Sequence, residues 1–274
     1  MVLKGNLLYN GDFETGTTEG WEINPFGLSN DYTLSVNSSA KLRGNYGGWL
    51  ETATSYGTGF IAYDKICSFE EHEGYLYILP IKMEEGVYCQ GYLYGLDDKG
   101  NLIDKFILGY NSDKGSWRRI TAFLRGYRDI THFKVGAFLF GSSYGGLYYI
   151  DEAKLMPLKS IKSHVLAETR DFDNVTSDKI WYSGLACIGR CQLRSIVEVT
   201  NVSGTSPTLD INVEVFLFEG VTLFYKLSHS QFTSEGYEEK VWDLPEACYI
   251  RVTYDVGGTS PSFDIYHYLR LYPY

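Results

Sequence analysis

The chain has little of what nucleic-acid binders and membrane-spanning proteins depend on. Its 274 residues carry 24 Lys and Arg against 34 Asp and Glu, a formal charge of −10. Recognition of a phosphate backbone requires clustered cations, so no nucleic-acid partner is expected. No run of eighteen apolar residues occurs, so no membrane insertion is expected. Residues 1–5 pass directly into the next segment without a charged stretch followed by an apolar one, which predicts synthesis in the cytoplasm without a signal peptide. Cysteines number only five, at 67, 89, 187, 191 and 248. They cannot all pair within one chain, and reduced, partly buried thiols are the expectation for a protein made in the cytosol. Cys187 and Cys191 lack the rest of a zinc tetrad, because His164 and His229 form no second closely spaced pair.

Catalytic patterns are also missing. Gly141-Ser142-Ser143-Tyr144-Gly145 fits a nucleophile elbow by letter, but that device needs a strand-turn-helix, and this segment joins two strand-like runs. Glu70-Glu71-His72-Glu73 lacks the second His of a zinc-protease helix. Nothing in the sequence fixes a separation between any two of the 34 acids, as glycoside hydrolysis would require. The expectation is a protein without enzymatic activity.

Aromatic residues are abundant, at 16% of the chain, with 24 Tyr and 29 Gly against only 7 Pro. That is a composition of twisted strands and tight turns. Leu209, Ile211, Val213, Val215 and Leu217 alternate with Asp210, Asn212 and Glu214, the period of a strand with one buried face. Tyr92 to Leu96, a polar turn at 97–101, and Leu102 to Leu108 read as strand, turn, strand. No long helical period occurs. The predicted class is all-β, with two β-sandwich domains, because 274 residues exceed the usual size of one.

Two segments repeat one another. Val202-Ser203-Gly204-Thr205-Ser206-Pro207-Thr208-Leu209-Asp210-Ile211 returns 54 residues later as Val256-Gly257-Gly258-Thr259-Ser260-Pro261-Ser262-Phe263-Asp264-Ile265. Gly supplies unusual backbone angles and Pro lacks an N–H, so each copy predicts a hairpin tip. With the flanking Val199–Glu214 and Arg251–Ile265, the pattern resembles a β-sandwich domain found in structural proteins of tailed bacteriophages. The resemblance covers roughly residues 190–268 and implies a virion component, on head or tail, acting in many copies beside other virion proteins.

A second resemblance lies at the other end. Asn6-Leu7-Leu8-Tyr9-Asn10-Gly11-Asp12-Phe13-Glu14, followed by Gly20-Trp21, is similar to the opening of the jelly-roll carbohydrate-binding modules of xylanases and related glycoside hydrolases. Tyr148-Tyr149-Ile150-Asp151-Glu152-Ala153-Lys154-Leu155 approaches their closing strand. The resemblance implies a first domain over residues 1–157 whose opening and closing segments lie together. A linker at 158–165 and a second domain at 166–274 complete the division. It also implies a structural calcium ion at Asp12, Glu14 and Asp151, since hard Ca²⁺ takes carboxylate and carbonyl oxygens. The other account is that Asp12 caps a turn, Glu14 is solvated and Asp151 accepts backbone N–H bonds.

A sugar ring offers C–H patches that stack on aromatic faces and hydroxyls that need polar partners. By that chemistry the carbohydrate-binding candidates are Tyr46 and Trp49, then Tyr92 and Tyr94 beside Gln90, then Tyr144. Trp21 and Trp117 read as core anchors. The leading expectation is a virion protein that decorates, links or adheres. The alternative is a binding protein for a host or environmental polysaccharide, and the third reading is a glycan-active enzyme.

Overall fold

The computed structural model describes residues 6–28, 30–69, 74–127, 129–157, 167–188, 190–217, 223–245 and 247–273. It is all-β apart from two single 3-10 turns, Pro25–Gly27 and Ser38–Ala40. The chain divides into two compact units, Met1–Ser160 and Ile161–Tyr274. The 158–165 linker of the sequence reading lies outside the described residues.

The first unit is a sandwich of two antiparallel sheets. Its front sheet runs β1 (Trp21–Ile23), β4 (Thr58–Tyr63), β10 (His132–Phe140), β7 (Tyr88–Leu96) and β8 (Leu102–Asn111), with the short β5 (Cys67–Ser68) beside the start of β10. In the back sheet the order is β9 (Trp117–Leu124), β6 (Tyr75–Glu85), β11 (Gly146–Ile150), β3 (Gly47–Thr52) and β2 (Thr33–Asn37). β12 (Lys154–Pro157) continues beside β6. Alternate residues of each strand face inward, burying Ile61, Leu93, Leu139, Leu50, Leu79 and Ile81. Tyrosines fill the space between the sheets and hold them together by their polar tips. Tyr77 in the back sheet donates its hydroxyl to the Gly136 carbonyl of the front at 3.3 Å, and Tyr148 reaches the Phe140 carbonyl at 2.6 Å. Each ring buries a large apolar area while its hydroxyl finds a partner, which explains why this core tolerates so much tyrosine.

The opening and closing motifs do lie together. Asn6 clasps the closing strand from both sides, donating Nδ2 to the Ala153 carbonyl and accepting from Leu155 N–H. Phe13 stacks on Trp21 at 5.6 Å between ring centroids, and the Trp21 indole donates to the Asn10 carbonyl. Trp21 is thus the expected anchor. Trp117 is not: it is paired with Lys82 on the outer face of the back sheet, where it is half-buried.

The second unit is built from two equivalent halves. β13 (Ala167–Val175), β14 (Lys179–Ile188) and the long β15 (Cys191–Leu217) are repeated in kind by β16 (Leu223–Ser228), β17 (Gly236–Asp243) and the long β18 (Ala247–Pro273). The two long strands run antiparallel side by side and cross at the repeated motifs, with Thr205 opposite Thr259, Ser203 opposite Ser262, and Thr208 opposite Gly257. The first half of β15 pairs with β17 and the second with β16, while β18 takes β14 and then β13. Each long strand therefore serves both layers of a sandwich.

The expected hairpin tips are absent at both copies. Gly204 and Gly258 adopt φ 112° and 105°, and Ser206 and Ser260 both adopt φ 51°, so each motif is a kink within one continuous strand. The missing Pro N–H groups fall where the ladder register shifts. A Cβ on Gly204 would lie 2.7 Å from the Ser260 carbonyl oxygen, and one on Gly258 would lie 2.7 Å from that of Ser206. The two copies are alike because each is the other's partner across a local two-fold axis.

The expectation of reduced thiols fails at one pair. Cys187, next to the end of β14, and Cys191, the first residue of β15, form a disulfide. Cys89 and Cys248 are buried thiols, held well above their ordinary pKa by that burial.

Candidate functional site

The outward face of the front sheet gathers a set of half-exposed aromatic side chains. Strand alternation places them there: Phe60 on β4, Phe138 and Phe140 on β10, Tyr88, Gln90 and Tyr92 on β7, and Tyr110 on β8 are half-buried. The ladder aligns Phe60, Phe138, Gln90 and Tyr110 as one row across four strands. Ring centroids lie 4.7 Å apart for Phe60 and Phe138, 5.0 Å for Tyr88 and Tyr110, and 5.2 Å for Tyr88 and Phe140. Tyr56, 59% exposed, extends the patch beside Phe140. Lys105 places its ammonium 5.1 Å from the Phe60 ring centroid. Burial raises the Tyr88 phenol and pushes that of Tyr92 up to about 12. Both are neutral near pH 7, able to donate and accept hydrogen bonds.

One edge of this face is roofed. Tyr94 lies on it but is fully covered, with Leu28 packed against its cluster and the Phe26 ring 5.8 Å away. Lys134, also buried, pairs with Glu22 at 2.6 Å. Tyr94 therefore supports the face without reaching a ligand. Gln90 and Tyr92, two of the expected candidates, lie half-buried on this outward face. The remaining three candidates lie elsewhere. Trp49 is on the outer face of the back sheet against Tyr149. Tyr46 sits in a loop with its N–H held by Glu14, and Tyr144 is 89% exposed at the turn between β10 and β11. Sequence reasoning missed Phe60, Tyr88, Lys105, Tyr110, Phe138 and Phe140, although the aromatic alternation in Tyr88-Cys89-Gln90-Gly91-Tyr92 and Phe138-Leu139-Phe140 carries the signal.

The acidic residues proposed for calcium face donors instead of one another. Asp151, fully buried, accepts Leu42 N–H and Arg43 N–H on one oxygen and Glu152 N–H on the other. Burial pushes its carboxyl up to about 6 against the pull of those N–H groups. The N–H of Tyr46, with that of Asn45, holds Glu14 below its ordinary value. Asp12 accepts Glu14 N–H at 3.4 Å. Among the described residues no group of three or more His, Cys, Asp or Glu comes together as a metal ligand set. Asp12 and Asp151 accept backbone N–H groups as the other account has them, but Glu14 is not simply solvated: with Asp151 it ties the loop at 42–46 to the opening and closing segments.

The second unit holds a buried polar chain that no sequence motif announced. The Tyr254 hydroxyl lies 3.1 Å from His267 Nδ1, His267 Nε2 lies 2.7 Å from Ser195 Oγ, Ser195 Oγ lies 2.8 Å from His229 Nε2, and His229 Nδ1 lies 2.7 Å from Glu238 Oε2. Burial works against the Glu238 carboxylate, but hydrogen bonds from Ser230 and His229 outweigh it and hold the group at about 2. With Glu238 ionised and accepting, and both imidazoles neutral, the form that burial favours for each, His229 donates to Glu238, Ser195 to His229 and His267 to Ser195. The Tyr254 hydroxyl is shared between His267 Nδ1 and the Asp171 carboxylate. Ser-His-Glu geometry of this kind serves nucleophilic catalysis where a substrate reaches the hydroxyl. Ser195 and His267 have no exposed surface, so the chain is a structural element of the core.

No protein-family model matches this chain, and no curated protein matches it. Among solved structures, it is similar to the N-terminal CBM22-1–CBM22-2 tandem domain of Xyn10C from Paenibacillus barcinonensis, at 9% identity and TM-score 0.42 over 98% of each chain. It is also similar to TmCBM61, solved with β-1,4-galactotriose, at 18% identity and TM-score 0.42 over 56% of this chain and 99% of the other. A third is the enzymatically active domain of tailspike protein 4 from bacteriophage CBA120, at 12% identity and TM-score 0.43 over 56% of this chain and 22% of the other.

Proposed function

We propose that the first unit binds an extended polysaccharide on the outward face of its front sheet. The observation that carries this reading is the cross-strand row Phe60–Phe138–Gln90–Tyr110, flanked by Tyr88 and Tyr92. Rings set on a rigid sheet stack on successive sugar C–H faces at little entropic cost, and the Gln90 amide with the neutral phenols supplies partners for hydroxyls. Resemblance of the opening and closing motifs to carbohydrate-binding modules supports the same reading. It requires binding alone and assigns no turnover. Electrophoresis of the full chain through gels containing single neutral polysaccharides tests it. The wild type is retarded in at least one gel, and Tyr88→Ala/Tyr92→Ala loses most of that retardation. Equal mobility of the variant and the wild type in every gel would overturn the assignment of this face.

The setting we infer is a bacteriophage virion assembled in the host cytoplasm, in which the second unit joins other virion proteins and many copies act together by avidity. The phage-like G-T-S-P repeat supports it. Particles lacking this protein should take it up from solution, and a second-unit variant with the repeat disrupted at Gly204 and Gly258 should not compete.

A further inference from the structure

The outer face of the back sheet carries a second cross-strand row. Ser35 pairs with Trp49, Trp49 with Tyr149, Tyr149 with Lys82, and Lys82 with Trp117. Directly paired residues share a face, so these five side chains form one strip across five adjacent strands. At the usual interstrand spacing the strip from Trp49 to Trp117 spans about 14 Å. It lies on the side of the unit opposite the face assigned above, because Leu50, Tyr148 and Ile81, each one residue away on its strand, are buried between the sheets.

Its chemistry is that of a stacking platform with polar margins. Trp49 and Trp117 are half-buried at its two ends. Tyr149 lies between them, 5.2 Å from Trp49 by ring centroid, with the Lys82 ammonium 5.6 Å from its own centroid. Hydrogen bonds fix the margins: the Trp49 indole N–H donates to Glu51 at 3.0 Å, and Lys82 pairs with Glu84. Arg119 follows Trp117 on the same face. Two cations, Lys82 and Arg119, offset two anions, Glu51 and Glu84, so the strip has no net charge to attract a polyanion or a polycation. Two indoles fixed on a sheet, Trp49 beside Glu51 and Trp117 beside Lys82, complement a molecule that alternates C–H faces with hydroxyls.

We infer that this strip is a second binding site for an uncharged polysaccharide, so that one first unit holds two strands of glycan on opposite faces. A unit with two such faces cross-links chains as well as adhering to them. The inference shares its ligand class with the proposed function but rests on different residues, and the two fail separately.

The test uses the full chain in two double variants, Trp49→Ala/Trp117→Ala for the strip and Tyr88→Ala/Tyr92→Ala for the front face. Xylan, galactan and hydroxyethylcellulose serve as neutral probes in gel retardation. Losing two ring contacts of ordinary size should weaken the strip's share of binding about tenfold. A direct readout accompanies it, because the front-face row contains no tryptophan. Acrylamide quenching of tryptophan emission should fall when a probe is added to the front-face variant, and Lys82→Ala in that background should abolish the protection. If the strip variant migrates as wild type in all three gels and no probe protects tryptophan, the inference is overturned while the front-face assignment stands. If only the strip variant loses retardation, the inference stands and the front-face assignment falls. Loss of binding that occurs only because the strip variant is unfolded is recognised by circular dichroism. The quenching readout in the folded front-face variant then decides the matter.

Discussion

Removing one hydroxyl should destabilise the second unit about as much as a large core truncation. Ser195 Oγ accepts from His267 Nε2 and donates to His229 Nε2, at 2.7 and 2.8 Å. Ser195→Ala leaves a donor without an acceptor and an acceptor without a donor, both buried. Each orphaned group costs about 1–3 kcal/mol, so the substitution should cost about 2–6 kcal/mol. For a domain near a hundred residues, about 4–8 °C of Tm follows each kcal/mol, so the second-unit transition should fall by at least about 8 °C. Calorimetry on the full chain measures it, with Ser195→Thr as the variant that retains a hydroxyl. Replacing the whole chain by apolar groups, as in Ser195→Ala/His229→Phe/His267→Leu, should recover part of the loss, because no polar group then remains unpaired. A Tm shift below about 2 °C for Ser195→Ala would refute the claim that this chain is tightly satisfied and dry.

The same chain sets a pH dependence. Burial holds His229 and His267 below the ordinary imidazole value, so the unfolded chain takes up protons first. Stability contributed by the neutral pair is complete above about pH 6.5 and is lost as pH falls below it; a urea midpoint unchanged between pH 7.5 and 5.5 would contradict this. Gly204→Ala should cost about 1–3 kcal/mol, because its Cβ meets the Ser260 carbonyl at 2.7 Å at a backbone φ of 112°. Gly258→Ala should cost the same within error in denaturant melts, and unequal losses would count against the local two-fold axis. Asp151→Ala strips three backbone N–H groups of their acceptor and should lower first-unit stability by about 2–4 kcal/mol. Hydrogen exchange at Leu42 and Arg43 should accelerate, and unchanged protection there would refute the tie.

Local pattern was legible where one period decides the structure. The alternation at 209–217 predicted a strand buried on one side; Leu209, Ile211, Val213 and Val215 are buried, but Asn212 and Glu214 on the other side are buried too, and Leu217 is half-buried. Tyr92 to Leu108 formed the expected hairpin, and the terminal motifs of the first unit met. Alternation does not say which face looks outward, however. Trp21 became a core anchor, while Trp117 became a surface residue and Tyr94 a covered one. At 202–211 and 256–265 the residue chemistry was right but its partner was unknown. Gly and Pro disrupt a ladder equally well at a turn or at a kink, and only the opposing copy decides between them. The polar chain in the second unit lay beyond any local pattern, since Ser195 is 34 residues from His229 and 72 from His267.

The halves of the second unit match in strand order, yet they have diverged where the polar chain runs. By ladder position, Ser195 opposite Leu269 corresponds to Ile250 opposite Val215, and His267 opposite Val197 corresponds to Val213 opposite Val252. Ile250 and Val213 are buried apolar side chains. One side of the axis has an oily core and its mirror position a hydrogen-bonded one. Two copies of the same half, placed against each other, would have either no imidazole to receive the Ser195 proton or no serine between their imidazoles. Self-pairing of identical halves is thereby penalised, and the sequence specifies the pairing of unlike halves.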